Sequence, residues 1–596
     1  MANFLLVQDP DPVRRQFSAL RARSRVAFLP QLRGELLLAP HYAVAWAAAE
    51  TAPVGQHRSS HPDSADCLLF GEPFDDAGRT FSAEEISRLH ETVWDAPSER
   101  NGYYAAVLVH PRLGVRVEAD ALGVFPIYHW QKGEILLVGS SPELFRCHPA
   151  FEKELDVHGV AALLLTSGLV GGRTLWRNVR RLGPDHLLLC PAGGITREIA
   201  PPPLRETSVP ESFDEIVEHV ASLHLSALRA GLGGSRQPGL LLSGGLDSRL
   251  LAGLLSTTGT RPNCVTFGRP HDLDARCATL VARELQFPQT VWDVAAGDYA
   301  QFAQSSVTWE QLSGGLYALP MGWNTSIRPP QVSIDRMVCG LTLDAVIGGA
   351  KHVAPATGAL SFDALRIARL GYARQHLGEL IAAPELAQAC DDVRNELVRE
   401  YLDADPQDHL REWRMNLAHR QRFAVGACAW RYSLFAWPVL PALDRRLIRL
   451  AARLPHAVAK NRGIQTRMLV TRFPHLARLD LDRNYLDTLP LIGARRSLLF
   501  DLERRTRKLG RRALAWLGRD PRFYVRTMEF NSPGWRLIRA MADEARTAAS
   551  TLFRTDRLAH LVPPSGVTVR RIQDPITQSA PLKNTLGLML WLRQHA

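Results

Sequence analysis

A stretch near the middle of the chain constrains its fold more than any other. Leu240 to Leu242 predict a short buried strand, and the sequence Ser-Gly-Gly-Leu-Asp-Ser follows at Ser243 to Ser248. The apolar run Leu250 to Leu255 then predicts the first turns of a helix. A strand that passes through glycines into a helix N-terminus forms an anion site, because free backbone N–H groups and the helix dipole point at the ligand.

The loop residues also restrict the kind of anion. The carboxylate of Asp247 would repel a phosphate unless a cation lies between them, and Mg²⁺ is the usual one. The six-residue sequence resembles the pyrophosphate loop of the ATP pyrophosphatase family, which cleaves ATP between its α and β phosphates. A Walker-type loop would need a lysine, which is absent here. The alternative is a Gly-rich turn without a ligand. The resemblance implies ATP contacts from Leu242, Ser243, Gly244, Gly245, Asp247 and Ser248.

Strands alternate with helices after this loop. Asn263 to Gly268 predict a strand, Asp274 to Leu285 a helix, and Thr290 to Val294 another strand. This alternation predicts an α/β domain with a doubly wound parallel sheet, in which ligands bind at the carboxyl ends of the strands. By the same resemblance, Phe267 at the end of the second strand is expected to contact ATP.

A second motif lies at Met337 to Gly349. It resembles the Ser-Gly-Glu-Gly-x-Asp-Glu-x-x-Gly-Gly segment of the class B asparagine synthetases. The resemblance implies that Asp344 and Asp247 together hold Mg²⁺ on the pyrophosphate, and that Cys339 and Gly340 contact ATP. Two carboxylates that share Mg²⁺ would offset the charge that builds on the leaving pyrophosphate. The alternative role of Asp344 is a helix N-cap.

Residues 1 to about 150 predict a β-rich module, followed by a helix over residues 156–170. The segment Asp120 to Tyr128, and the order of the strands around it, resemble the N-terminal glutamine amidotransferase domain of the same synthetases. This implies an Ntn-amidotransferase-like αββα domain. The short strands are predicted at Val26 to Phe28, Leu36 to Leu38, Cys67 to Phe70, Gly102 to Val109, Gly114 to Asp120, Gly123 to Tyr128 and Ile135 to Ser141.

Two departures from that family predict a domain without glutaminase activity. The family's nucleophile is a cysteine exposed after removal of the initial methionine, and position 2 here is Ala2. The family's Asn-Gly-Glu element, which helps to form the oxyanion hole, is replaced by Phe70-Gly71-Glu72. Acyl transfer from glutamine needs both a nucleophile and an oxyanion donor.

The chain is too long for one core, and a Pro-rich polar stretch over residues 197–212 predicts a linker. We therefore expect an amidotransferase-like domain at residues 1–205 and an asparagine synthetase-like ATP-pyrophosphatase domain with a helical C-terminal extension at residues 206–596. Helices are expected at Asp363 to Leu370 and Glu385 to Leu402. The apolar run Leu586 to Leu592 predicts a terminal helix that packs on the synthetase domain.

Composition narrows the compartment and the partners. The eight cysteines are scattered without a C-x-x-C pair, which is typical of a reducing cytoplasm. No run approaches the roughly 20 apolar residues of a membrane helix, and the first nine residues lack the features of a signal peptide. The net charge of +11 fits an arginine-rich solvated surface, and the alternative is an acidic partner that binds the basic segment 495–526.

The acceptor region differs from both known patterns of the family. Asparagine synthetases place glutamate three residues before the magnesium aspartate, whereas this chain has Leu341. No counterpart of the Tyr–Glu dyad of the β-lactam-forming relatives is evident. Those relatives also use a lysine to stabilise the transition state. The candidate here is Lys460, whose alternative is an exposed surface lysine, and the matching segment Arg483-Asn484-Tyr485 has no lysine.

These features predict an ATP-dependent ligase whose amine belongs to the substrate. The resemblance leans toward the lasso-peptide cyclases, which form a macrolactam between a peptide's N-terminal amine and an Asp or Glu side chain. The expected partners are a precursor peptide, a leader peptidase and a leader-binding protein, with no nucleic acid and no membrane. The alternatives are a β-lactam synthetase or an ammonia-dependent asparagine synthetase acting on a small substrate, a tRNA-modifying pyrophosphatase, and a non-catalytic scaffold.

Overall fold

A computed structural model describes most of the chain. The described residues are 2–61, 63–201, 212–293, 332–348, 360–372, 374–482, 489–493, 530–569 and 580–595, with residues 304, 307–308, 313, 506 and 509–510 between them. The predicted domain boundary at 205/206 and the segment Arg483-Asn484-Tyr485 lie outside these residues, as does nearly all of the basic segment 495–526.

The N-terminal part contains two six-stranded antiparallel sheets. The first has the order β10 (Arg180–Arg181), β8 (Tyr128–Lys132), β9 (Ile135–Gly139), β1 (Ala2–Gln8), β3 (Ala43–Ala49), β2 (Leu32–Leu38). The second has the order β12 (Arg197–Ile199), β11 (Leu187–Cys190), β7 (Gly114–Ala119), β6 (Tyr104–His110), β5 (Asp66–Gly71), β4 (Val54–His57).

Alternation along the strands shows how the layers stack. Phe4 and Leu6 of β1 share a core with Phe70 of β5, so the two sheets face each other. Leu5 and Val7 point the other way, toward helix α1 (Pro12–Val26). Helix α2 (Ala83–Thr92) covers the outer face of the second sheet in the same manner. The layers are therefore α, β, β and α.

Two predicted strands are wrong, for local reasons. Val26 is the last residue of α1, which begins where Asp11 caps the backbone N–H groups of Val13 and Arg14. The segment Gly123 to Tyr128 is a loop up to its last residue. The buried carboxylate of Asp120 accepts hydrogen bonds from three backbone N–H groups there, those of Leu122, Val124 and Phe125. These bonds take the place of the ladder that a strand would need.

The second part of the chain is built on a five-stranded parallel sheet. Its order is β15 (Gln289–Trp292), β14 (Asn263–Phe267), β13 (Pro238–Leu241), β16 (Arg336–Val338), β17 (Trp437–Val439). The chain runs outward from β13 to β15 and then returns to β16 on the other side. This order confirms the predicted parallel sheet and places the switch point between β13 and β16, where ligands bind in such folds.

Helices account for most of the remaining described residues. A π-helical segment, Asn416–Val425, joins the helix Asp408–Met415 to the helix Gly426–Tyr432. The segment predicted as a helix at Asp363 to Leu370 forms two short 3-10 turns instead, Phe362–Ala364 and Arg366–Leu370. The helices are α3 (Val157–Thr166), α4 (Phe213–Leu232), α5 (Leu246–Ser256), α6 (Leu273–Glu284), α7 (Leu343–Ile347), α8 (Arg374–Leu380), α9 (Pro384–Ala404), α10 (Asp408–Met415), α11 (Gly426–Tyr432), α12 (Arg445–Ala451), α13 (His456–Ala459), α14 (Gly463–Arg472), α15 (Pro474–Ala477), α16 (Pro533–Asp543), α17 (Arg546–Ala549), α18 (Thr555–Leu561) and α19 (Ala580–Arg593).

The terminal helix α19 packs on both parts of the chain. It contacts α16 and α17 of the C-terminal extension and α3 of the N-terminal part. The indole N–H of Trp591 donates to Glu143 Oε1 at 2.6 Å, and its ring meets Trp176 with centroids 4.8 Å apart. The last helix thus packs on helices within residues 206–596, as predicted, and also on the N-terminal part, which was not predicted. None of the described helices is long and apolar enough to span a bilayer.

Candidate active site

The Gly-rich loop lies at the carboxyl end of the central strand. Strand β13 ends at Leu241 and helix α5 begins at Leu246. The N-cap residue is Gly245, so no side chain accepts a hydrogen bond from the first backbone N–H groups of the helix. Ser248 Oγ accepts the backbone N–H of Ser243 at 3.0 Å and lies 2.9 Å from Ser243 Oγ. The two serines therefore brace the loop from within, while the uncapped first turn of α5 can donate N–H groups to an anion.

Gly244 is fixed by close packing and not by unusual dihedral angles. A Cβ at this position would lie 2.8 Å from both the carbonyl oxygen of Asp274 and the Cβ of Cys277. The N–H of Gly244 donates to Asp274 Oδ1 at 2.8 Å. Burial, together with the nearby Asp482, raises the pKa of Asp274 to about 7. A larger residue at Gly244 would push the loop off this carboxyl group.

The second motif approaches the loop from the neighbouring strand. Strand β16 ends at Val338, and α7 begins at Leu343 after Thr342, whose φ is +64°. A Cβ on Gly340 would lie 3.2 Å from the Cβ of Asp247, so glycine allows the two motifs to touch. This contact places the two predicted magnesium carboxylates on one side of the switch point.

One guanidinium group bridges the two carboxylates. Arg462 Nη2 lies 2.8 Å from Asp344 Oδ2, and Nη1 lies 3.4 Å from Asp247 Oδ2. The backbone of Arg462 is left-handed, with φ +57°, which is uncommon for a residue other than glycine. Lys460, the cation predicted from the sequence, is exposed two residues earlier and lies outside this group. The cation that contacts both carboxylates in this structure is Arg462, and a catalytic role of Lys460 stays a prediction.

These residues surround a cavity of about 330 Å³ at the switch point. Its wall includes most of the predicted ATP-contacting residues, together with Leu341. Gly244, Asp344 and Lys460 are not part of the wall. The predicted residues in the wall are Leu242, Ser243, Gly245, Asp247, Ser248, Phe267, Cys339 and Gly340, and those that sequence reasoning missed are Leu241, Leu246, Val265, Asp274, Tyr432, Arg462 and Asp482.

Aromatic rings form the apolar side of this cavity. Phe267 stacks with Tyr432 at a centroid distance of 6.2 Å and contacts Trp292 at 5.4 Å. The acidic side is formed by Asp247, Asp274 and Asp482. Arg462 links Asp247 to Asp344, which is not part of the wall. A cavity with an apolar wall, a loop rich in N–H groups and paired carboxylates fits a nucleotide whose phosphates carry Mg²⁺. The bridging guanidinium shows that a positive group can lie between the two carboxylates.

Of the cavity residues that sequence reasoning missed, Asp274 could have been found from its position along the chain, whereas Arg462 could not. Asp274 lies in the first turn of the helix after β14, at a strand's carboxyl end, where an acidic residue is a candidate ligand. Arg462 is 118 residues from Asp344 and belongs to no motif, so only the folded chain brings it there.

The N-terminal position expected for a glutaminase is closed by packing. Ala2 is fully buried in β1, and its carbonyl accepts the indole N–H of Trp430 at 2.9 Å. Phe70 stacks between Phe4 and Phe125, with centroid distances of 5.5 and 5.9 Å. Glu72 forms an ion pair with Arg336 of β16 at 2.6 Å. The segment that replaces the oxyanion element thus joins the two parts of the molecule.

Three comparisons show which known proteins this chain is similar to. A solved structure of glutamine phosphoribosylpyrophosphate amidotransferase from Bacillus subtilis, complexed with ADP and GMP, is similar over 49% of this chain and 65% of that chain, with 13% identity and a TM-score of 0.21. Asparagine synthetase [glutamine-hydrolyzing] 3 from Bacillus subtilis (strain 168) is 27% identical over 183 residues, which are 30% of this chain and 29% of that protein. The match thus spans less than a third of the relative's length. The family model described as asparagine synthase matches residues 219–474, which contain both motifs of the cavity. The parallel-sheet region is therefore similar to the asparagine synthase family over residues 219–474.

Proposed function

We propose that this chain is an ATP-dependent, AMP-forming carbon–nitrogen ligase. The observation that carries the proposal is the convergence of the Ser243–Ser248 loop and the Asp344 motif on one cavity at the switch point of a region similar to asparagine synthases. The relative named above, an asparagine synthetase, supports the same class of reaction.

The geometry supports activation of a carboxylate by ATP. A substrate carboxylate oxygen attacks the α-phosphorus, and the bond to the bridging oxygen of pyrophosphate breaks. Serine hydroxyls and N–H groups of the loop orient the phosphates, while Phe267 and Tyr432 offer an apolar surface to the base. Asp247 and Asp344 would hold Mg²⁺, which offsets charge on the leaving group when bound. Arg462 contributes a further positive charge at the same point.

The second half-reaction needs an amine. The amine nitrogen attacks the acyl carbon of the adenylate, the bond from that carbon to the phosphate oxygen breaks, AMP departs, and the nitrogen loses a proton. The buried Ala2 and the stacked Phe70 support an amine other than ammonia released from glutamine. We therefore assign the amine to the substrate itself.

The finer proposal is a macrolactam cyclase of the lasso-peptide type. Such an enzyme would join the N-terminal amine of a core peptide to an Asp or Glu side chain, and a leader peptidase and a leader-binding protein would be its partners. Leu341 supports this choice, because it gives the cavity an apolar residue where asparagine synthetases have a glutamate. The basic segment 495–526 is compatible with a peptide substrate of acidic character.

One experiment separates the proposal from its main alternative. Purified protein is mixed with ATP, Mg²⁺ and a candidate core peptide, or with ATP, Mg²⁺, free aspartate and ammonia. We expect AMP with the peptide, and a peptide product lighter by one water. AMP formation with aspartate and ammonia but with no peptide would favour an ammonia-dependent asparagine synthetase. Turnover of a small β-amino acid would favour a β-lactam-type ligase.

A further inference from the structure

A second cavity lies among the helices, apart from the one at the switch point. Its volume is about 190 Å³, smaller than a typical cofactor pocket. Three arginines and one glutamate bring charge to its wall. The wall consists of Leu365, Arg366, Ile367, Arg369, Leu370, Tyr401, Glu412, Met415, Asn416 and Arg420.

The charges in this cavity are unbalanced. In the part of the chain that the structure describes, no ion pair within 4 Å joins Arg366, Arg369 or Arg420 to a carboxylate. Glu412 is only 5% exposed. Burial raises the pKa of Glu412 to about 7 although all three arginines oppose the rise, so the carboxyl group is partly protonated near neutral pH. The cavity therefore offers up to three positive groups and a carboxyl group that can donate a proton.

The cavity is coupled to the switch point through one short helix. Trp413, next to Glu412, donates its indole N–H to the carbonyl of Val346 at 3.0 Å. Val346 belongs to α7, the helix that carries Asp344. Arg420 lies close enough to Asp344 for that carboxylate to act on its pKa.

The backbone of this wall is also unusual. Asn416 and Arg420 belong to the ten-residue π-helical segment Asn416–Val425. π-Helices are rare, and they concentrate at functional sites because they widen a helix and turn side chains to new directions. The segment aims Arg420 into the same cavity as Arg366, which comes from a 3-10 turn.

We propose that this cavity binds a carboxylate of the peptide substrate other than the one that is activated. The inference rests on the proposed ligase function and names a second recognition point for its substrate. Guanidinium groups bind carboxylates in bidentate geometry, and the volume suits one acidic side chain or a chain terminus. Glu412 disfavours a doubly charged phosphate, whereas its protonated form can donate a hydrogen bond to a carboxylate.

The probe for this proposal is glutarate, with the uncharged glutaramide as its isosteric control. Isothermal titration at pH 6.5 would measure both ligands against the wild-type protein. We expect glutarate to bind and glutaramide not to bind. Arg366→Gln and Arg420→Gln should each weaken glutarate about tenfold or more, as expected for loss of a charged hydrogen bond. Arg399→Gln, an exposed arginine on α9, is the matched control and should bind glutarate like the wild type.

A second measurement, the affinity for an ATP analogue, tests whether the variant is folded. The affinity for a non-hydrolysable ATP analogue should be the same in Arg366→Gln and the wild type, which shows that the variant is folded. Equal glutarate affinity in the wild type and both variants, no binding at all, or competition by the ATP analogue would overturn the proposal. Arg-dependent glutarate binding without AMP formation from any substrate would instead contradict the ligase function and leave the carboxylate site standing.

Discussion

Two buried glutamates show how differently the two parts of the chain use charge. Glu118, in the N-terminal sandwich, lies between Arg100 and Arg116, with Arg116 Nη2 at 2.7 Å. Burial alone would raise its pKa, but the two arginines lower it well below the usual range. Glu412, in the helical region, is similarly buried and has three arginines around it at longer range, and its pKa is raised to about 7. The carboxylate of Glu118 is neutralised by direct contact with two arginines, whereas the carboxyl group of Glu412 lines a cavity.

The same contrast separates the two candidate sites. At Ala2 the sandwich is packed: the carbonyl of Ala2 accepts the indole N–H of Trp430, and Phe70 lies in an aromatic stack. At the switch point the Asp247 region keeps a cavity of about 330 Å³. Packed, paired polar groups indicate a structural role, whereas polar groups that line a cavity indicate a ligand. The following changes would test that distinction, beginning with the largest expected effect.

Asp247→Asn should abolish most of the AMP release while leaving the fold intact. The substitution removes a charge from the proposed magnesium pair without changing the size of the side chain, and we expect a loss of about 1,000-fold in kcat. The measurement is AMP formed per enzyme at saturating ATP and Mg²⁺. Asp556→Asn, an exposed aspartate on α18, serves as the control. Undiminished AMP release by Asp247→Asn would mean that the cavity is not the ATP site.

Glu118→Gln should mainly destabilise the protein. It leaves Arg100 and Arg116 buried without their counter-charge, which costs about 3–5 kcal/mol. Because the pKa of Glu118 is lowered in the folded state, the wild type should lose this stabilisation as the pH falls below about 4.5, and the variant should lack that step. Urea unfolding at several pH values would measure both effects. A stable variant with altered AMP release would place function in the sandwich instead.

Arg462→Gln should reduce AMP formation by about 10- to 100-fold, because it removes the charge that reaches both Asp344 and Asp247. Lys460→Gln, two residues away, should have a smaller effect, since Lys460 is exposed outside the cavity. Steady-state kinetics with varied ATP would compare the two. A larger loss with Lys460→Gln would restore the lysine as the catalytic cation.

Glu412→Gln should have the opposite sign from Glu118→Gln. Its pKa is raised in the folded state, so the wild type loses free energy of unfolding as the pH rises from about 4.5 to about 7. Gln stays neutral, and we expect the variant to be more stable at pH 8 by about 1–2 kcal/mol and to lack this pH dependence. Urea midpoints at pH 5 and pH 8 provide the measurement. A variant destabilised at pH 8 would show that Glu412 is paired in solution.

The sequence predicted the parts of the fold that depend on local order. The strand, glycines and helix around Ser243 specify their own turn, and alternating strands and helices specify a parallel sheet. Local sequence patterns gave incomplete or wrong predictions where a residue far away in the chain, or a competing hydrogen-bond acceptor, determined the local structure or packing. Asp120 replaced a predicted strand with a carboxylate-bound loop, and the terminal helix also reaches the N-terminal part through the hydrogen bond from Trp591 to Glu143, which no local pattern indicated.

From the sequence alone we predicted the phosphate loop, the second carboxylate at Asp344 and, from Ala2 and Phe70, a domain without glutaminase activity, because each prediction rests on a contiguous motif. The tertiary structure decided which cation meets those carboxylates, Arg462 instead of Lys460. It also gathered Arg366, Arg420 and Glu412 into a second cavity. The physical reason is that charge acts through space. Whether a buried carboxyl group is neutralised, as at Glu118, or left to take up a proton, as at Glu412, depends on distances that spacing along the chain does not encode.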